Sequence, residues 1–331
     1  MGEMVILMDR LDEFVLSNDL ITLYKACDID WCTVYHYTSP DGMLGILQPG
    51  GKAKLWFTRY DSLNDINERK EIVSFLEGYC TYQVNNKKLS QEFADAVLQL
   101  TLSDEHLLTY PVEPVGVEGA VGKGILKVNS RVAECDTYLC CFSDSPDLLP
   151  MWNYYTKSQH YEGYSIGFSY PFLVGDAGFK KGYSLEFKRV VYSDSEKTAL
   201  LDKLLLQSDE FFRTSTDEER LKLLGVIHDF LNDYQFAFKN SAFQHEREIR
   251  AILRVPREPI PGGRKFEVKY RNSNGYIVPY VEFETLPNVV EKITIAPLLQ
   301  AEISKKNLKE MLKRRAYNCV DVETSKVPVR F

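Results

Sequence analysis

Two residues apart in the run Tyr35-His36-Tyr37-Thr38, an imidazole and a hydroxyl could grip one ligand. On an extended strand alternate side chains point the same way, so His36 and Thr38 would meet one group, such as a ribose diol. The plainer reading is a hydrogen-bonded histidine in a core or edge strand. A second cluster is Glu246-Arg247-Glu248-Ile249-Arg250. Period-two geometry predicts Glu246, Glu248 and Arg250 on one face. Paired carboxylates are costly to bury, and a neighbouring arginine lowers the cost. Such clusters are more common at working sites than in passive strands, and an exposed charge ladder is the competing reading.

A third candidate is Leu55-Trp56-Phe57-Thr58, where Trp56 or Phe57 could form a stacking wall, followed by Asn64, Asp65 and Glu68. Asn64 or Asp65 equally suits a helix N-cap. Glu246, Glu248 and Asp65 could also surround Mg²⁺ in a nuclease or hydrolase. Trp152 and Tyr155 share a helix face, which favours core packing. The seven cysteines and five histidines are dispersed and no C-x-x-C pair occurs, so no metal site is expected.

Hydrophobic periodicity predicts the elements that must position these residues. Helices are expected over 3–26, 67–84, 90–102, 195–207, 217–241 and 304–315. Strands are expected over 31–38, 54–58, 137–143, 164–169, 184–192, 246–255, 264–270, 276–284, 291–296 and 318–323. The Pro/Gly-rich stretch 109–124 reads as an exposed connection. Strands irregularly separated by helices, with no βαβ rhythm and no G-x-G-x-x-G turn, argue against a doubly wound sheet. The expectation is an α+β fold with mostly antiparallel strands: one domain over 1–331, an N-terminal helix in 1–28, and helical insertions at 67–108 and 195–241.

Hydrophobic residues are 44% and charged residues 26% of the 331, the balance of a chain that buries a core rather than a disordered one. The start of the chain lacks a signal-peptide pattern and no stretch approaches ~20 apolar residues, which predicts a cytoplasmic protein with no membrane partner. The net charge of −7 argues against a nucleic-acid-coated protein. Basic residues nevertheless concentrate in 245–271, with eight Lys/Arg against four Glu, and in 304–315, with six against Glu310 alone. These segments keep a nucleic acid acceptor open, although such faces are commonly just solvated.

The motifs YHYT, KLWFT with LND and Glu68, CCFS, MW-x-x-Y followed by G-x-x-I-x-F, E-x-E-I-R and VETSKVPVRF, in that order, resemble a bacterial domain-of-unknown-function family over roughly 33–331. More distantly, His36-Tyr37-Thr38, Trp56 and Glu246-x-Glu248 resemble the ADP-ribosyltransferase superfamily. Tyr37 stands where many members carry Gly, and Trp56 where Tyr is usual.

That resemblance implies an ADP-ribosyltransferase-like fold and NAD as substrate. It implies that His36 and Thr38 hold the adenosine ribose and that Trp56 or Tyr37 stacks on nicotinamide. Glu248 would stabilise the oxocarbenium-like transition state, Glu246 would orient or deprotonate the acceptor, and Arg250 would tune the pair or meet a phosphate. Phe57 and Asn64 complete the expected pocket. The acceptor could be RNA, DNA, protein or water. By the same resemblance the protein could be a toxin or anti-phage effector with an antitoxin or chaperone partner. The competing class is a non-enzymatic nucleotide- or partner-binding module in which the E-x-E pair is structural.

Overall fold

The computed structural model describes residues 10–25, 28–29, 32–63, 68–100, 106–111, 130–155, 162–174, 182–273, 275–297 and 300–328. Its helices are α1 (Arg10–Ser17), α2 (Pro40–Ile46), α3 (Glu68–Asn85), α4 (Gln91–Leu98), α5 (Leu149–Tyr155), α6 (Tyr170–Val174), α7 (Asp194–Thr214), α8 (Asp217–Tyr234) and α9 (Ala301–Arg314). Its strands are β1 (Thr33–Thr38), β2 (Lys54–Arg59), β3 (His106–Pro111), β4 (Ser130–Ser143), β5 (Tyr164–Ser169) and β6 (Ser184–Arg189). They continue with β7 (Glu248–Pro256), β8 (Lys269–Ser273), β9 (Tyr276–Glu284), β10 (Val290–Ile295) and β11 (Asp321–Thr324). The chain divides into two compact units, residues 1–29, 64–103 and 188–245 in one and residues 30–63, 104–187 and 246–331 in the other.

The first unit is helical: α1, α3, α4, α7 and α8. Each helix turns its apolar stripe onto one core, in which Phe93, Leu204, Leu205, Phe212, Phe230 and Leu231 are buried. Local chemistry sets the helix starts. Ser90 Oγ accepts the Phe93 amide to cap α4, and Thr216 and Glu219 form a reciprocal capping box on α8. Two lysines are buried in this unit, each against carboxylates: Lys188 on Asp28 (2.9 Å) and Asp233 (2.8 Å), and Lys197 on Glu71 (2.6 Å).

The second unit carries the strands, in the order β11-β10-β5-β1-β4-β2-β9-β8, with β3 and β7 also pairing β4 and β6 pairing β7. Pairing is antiparallel at β1–β4, β1–β5, β2–β4, β2–β9, β3–β4, β4–β7, β5–β10 and β8–β9, and parallel at β10–β11. The protein is therefore α+β with a large, mostly antiparallel sheet. Among the described residues no helix is long and apolar enough to cross a membrane.

Several elements differ from the sequence reading. Within 3–26 the described helix ends at Ser17, and Asp19 takes φ 53° before a 3-10 turn at Leu20–Lys25. Three residues expected in the 109–124 connection, Thr109–Pro111, are paired to Ser130–Val132; proline at the strand's end needs no ladder donor. β4 starts seven residues before the expected 137, because β3 supplies it with a partner there. The helix expected over 217–241 stops at Tyr234, where the chain turns to bridge Phe238 to Val191.

Candidate functional site

β4 changes partners along one edge. β2 pairs it through Thr58–Leu139 and Arg59–Tyr138, and β1 through Tyr35–Ser143. Between these pairings the sheet forks, and the Cys141 carbonyl is met by a side chain instead of a strand: His36 Nδ1 donates to it at 2.9 Å. That bond assigns the proton to Nδ1 and leaves Nε2 as an acceptor with no protein partner among the described residues. The ring packs edge-on to Phe142, with centroids 5.6 Å apart. Burial pushes the His36 pKa below its ordinary value, so the imidazole is neutral at pH 7. Cys140 Sγ lies 4.0 Å from Nδ1, and burial pushes its thiol up to about 12, which makes it inert as a nucleophile.

The carboxylate cluster is built differently from the period-two expectation. Arg247 takes φ 48°, a left-handed conformation that interrupts the strand, so β7 begins at Glu248. Glu246 ends a 3-10 turn, Ser241–Glu246, and its carbonyl accepts Ser143 Oγ at 2.9 Å. Arg247 meets Asp144 at 2.6 Å. Glu246 therefore does not share a strand face with Glu248, and this corrects that part of the sequence reading. Glu248 and Arg250 do share one. Arg250 Nε donates to Glu248 Oε1 at 3.0 Å and Nη2 to Oε2 at 3.2 Å, with the residues only 4% and 1% exposed.

Directly opposed residues of an antiparallel ladder share a face, so Tyr35, Ser143, Cys141, Glu248 and Arg250 lie on one side. His36 alternates to the other side of β1. The register thus separates the imidazole from the Glu248 carboxylate, and both carboxylate oxygens are taken by Arg250.

The remaining expected residues divide in the same way. Tyr37 is 3% exposed, donates its hydroxyl to the Ser145 carbonyl at 2.9 Å, accepts the Leu148 amide at 2.9 Å, and packs edge-on to Trp152. Thr38 ends β1 ahead of the Ser39 cap of α2. Its Oγ1 would lie 2.0 Å from a Cβ at Gly42, so the close approach there requires glycine. Phe57 is buried against Phe283. Trp56, on the opposite face, is 47% exposed. Asn64 and Asp65 lie outside the described residues.

Trp56 leads to a residue the sequence reading passed over. Its ring lies 4.7 Å from Tyr280, and the Arg271 guanidinium sits 5.7 Å from its centroid. Arg271 Nη2 donates to Thr58 Oγ1 at 2.8 Å. Within the basic stretch 245–271, arginines 247, 250, 254 and 257 and Lys269 each pair with a carboxylate. Among the described residues Arg264, Lys265 and Arg271 make no ion pair, and of these three only Arg271 has a side-chain nitrogen buried without a hydrogen-bond partner. The available signal was the Asn-Gly pair that follows it in the sequence; Gly275 has φ 89°, and the Ser273–Tyr276 pairing fixes the β8–β9 register that puts Arg271 beside β2. In the second basic stretch, Lys306, Lys309, Lys313 and Arg314 of α9 are exposed, Arg314 pairs with Glu310, and Arg315 binds the Leu44 and Leu47 carbonyls.

Residues 151–251 match a family described as a protein of unknown function (DUF2971). No curated protein and no solved structure matches the chain. The matched stretch contains Glu246, Glu248 and Arg250, whereas His36, Trp56 and Arg271 lie outside it.

Proposed function

We propose that the sheet unit binds a nucleotide at the fork of β1 and β2, with NAD the ligand that the sequence resemblance implies. The observation that carries this reading is His36, which closes the fork through Nδ1 and keeps a neutral Nε2 free to accept a hydroxyl. A ribose hydroxyl is a donor of the right kind. In this reading the Glu248–Arg250 pair is structural. A carboxylate with both oxygens on a guanidinium and almost no exposure must give up that partner to meet a ligand.

A second reading, NAD-dependent ADP-ribosyl transfer, keeps one observation on its side: a carboxylate held in a single orientation beside the fork strand β4, with Glu246 partly exposed next to it. In that chemistry the bond from the ribose carbon to nicotinamide breaks, nicotinamide leaves with the bonding electrons, and an acceptor oxygen or nitrogen bonds to that carbon and loses its proton. Glu248 would need to exchange Arg250 for a ribose hydroxyl, and Glu246 would take the proton. The Mg²⁺ reading needs the same carboxylate; among the described residues no group of three or more His, Cys, Asp or Glu side chains is placed to hold a metal ion.

The two readings part in one experiment. Protein and its Glu248→Gln variant are incubated with NAD carrying a tagged adenylate, together with RNA, DNA or cell extract. Binding of NAD by both proteins, with no nicotinamide released, is the expected result. Nicotinamide release that disappears in the variant would establish the transferase or, where no polymer is labelled, a glycohydrolase.

A further inference from the structure

We propose that Arg271, Thr58 and Trp56 form a phosphate subsite, which takes a nucleoside phosphate by pairing its phosphate with Arg271 and laying its base on Trp56. It goes beyond the fork reading: the Thr58–Leu139 and Tyr35–Ser143 pairings put these residues on the Glu248 face of the sheet, opposite His36, so the subsite stands whether or not the fork holds a ribose.

The register places the participants on one face. Thr58 opposes Tyr280, Tyr280 opposes Lys269, Trp56 opposes Glu282, and Arg271 lies two residues beyond Lys269. Charge on this face is unbalanced. Lys54 and Lys269 both reach Glu282, at 3.3 Å and 2.9 Å, so one carboxylate already serves two ammonium groups. Glu284, opposite Lys54 on the same face, is taken by Lys52 at 2.8 Å, and Arg271 adds a further cation that has no ion pair among the described residues. Its contacts are the Thr58 hydroxyl and the Trp56 ring, and its Nε is buried without a hydrogen-bond partner. Burial pulls its pKa below the ordinary value, the mark of a guanidinium whose lost hydration has not been replaced by a counter-charge. An oxyanion supplies that counter-charge and the bidentate geometry a guanidinium favours.

The ligand's second half is set by Trp56. An indole nearly half exposed beside a cation is an apolar plane next to a charge, which suits a planar base joined to a phosphate more than a free inorganic anion. A free nucleotide and a nucleic acid strand both present this chemistry.

The full-length protein is titrated calorimetrically with ADP, pyrophosphate, adenosine and a short single-stranded oligonucleotide, alongside Arg271→Gln, Trp56→Ala and His36→Phe. ADP and pyrophosphate should bind ~10- to 100-fold more weakly to Arg271→Gln, the loss expected for one charge-assisted contact, while adenosine is unaffected. Trp56→Ala should weaken ADP and adenosine together and leave pyrophosphate unchanged. Displacement of ADP by the oligonucleotide would make a nucleic acid strand the source of the phosphate, and failure to displace it would make the source a free nucleotide. Equal ADP affinity in the wild type and a stably folded Arg271→Gln would overturn the subsite, as would absence of ADP and pyrophosphate binding in the wild type. Loss with Arg271→Gln but not with His36→Phe would keep the subsite and reject the fork as the ribose site.

Discussion

Arg250 and Arg271 lie in the same sheet and are matched in charge, but they are satisfied in different ways. Arg250 is almost fully buried and spends its guanidinium on both oxygens of Glu248. Arg271 is half-buried and has a hydroxyl and an aromatic ring for company. The buried lysines of the helical unit follow the first pattern, each on one or two carboxylates. A cation compensated inside the fold belongs to the architecture. One left uncompensated is available to a ligand, because the free energy of neutralising it has not been collected by folding.

The largest effect should come from breaking the compensated pair. Glu248→Ala strands a buried guanidinium and should destabilise by about 3–5 kcal/mol, whereas replacing both partners by Met should cost much less. Urea unfolding of Glu248→Ala and of the double Met variant measures the difference. If Glu248→Ala unfolds like wild type, the pair is not structural and the contrast fails.

An intermediate, pH-dependent effect is expected at two sites. His36 has its folded pKa lowered by burial, so its contribution to stability is present above the unfolded value near 6.5 and is lost as pH falls below it. His36→Gln keeps a donor for the Cys141 carbonyl and cannot titrate, so the wild-type loss between pH 7 and about 5 should be shallower in the variant. Lys188 has the opposite sign. Burial pulls its pKa down, but Asp233 and Asp28 outweigh it, and the net shift is upward. Its contribution is complete below the unfolded value of 10.5 and is lost as pH rises through the raised folded value. Lys188→Met should be destabilised near neutrality and should lack that alkaline loss, read by thermal melts across pH.

The smallest change in stability should be at Arg271. Arg271→Gln loses one hydrogen bond to Thr58 and sheds an uncompensated charge, so its unfolding free energy should move by about 1 kcal/mol or less. A loss near that of Glu248→Ala would make Arg271 a structural residue.

These contrasts also mark what could be read from sequence. The strands bearing His36 and Trp56 were legible because β-branched and aromatic residues fill them, and each expected strand overlaps the observed one almost fully. The shared face of Glu248 and Arg250 followed from alternation alone. Glu246 did not, because a non-glycine left-handed residue, Arg247, carries no marker in its side chain. The separation of His36 from Glu248 depends on the register of three strands, which is set by long-range pairing rather than local pattern. Arg271 looked like one more cation in a basic run. Its distinction is a partly buried guanidinium that has no ion pair among the described residues, and that is a property of the folded sheet.

The most direct test of the central claim is calorimetric titration of NAD into the wild type and into Glu248→Gln. The account predicts saturable binding to the wild type and a comparable affinity in the variant, because the carboxylate serves the fold and the ligand sits at the fork. No binding to the wild type, or binding that vanishes in a folded Glu248→Gln protein, would contradict it.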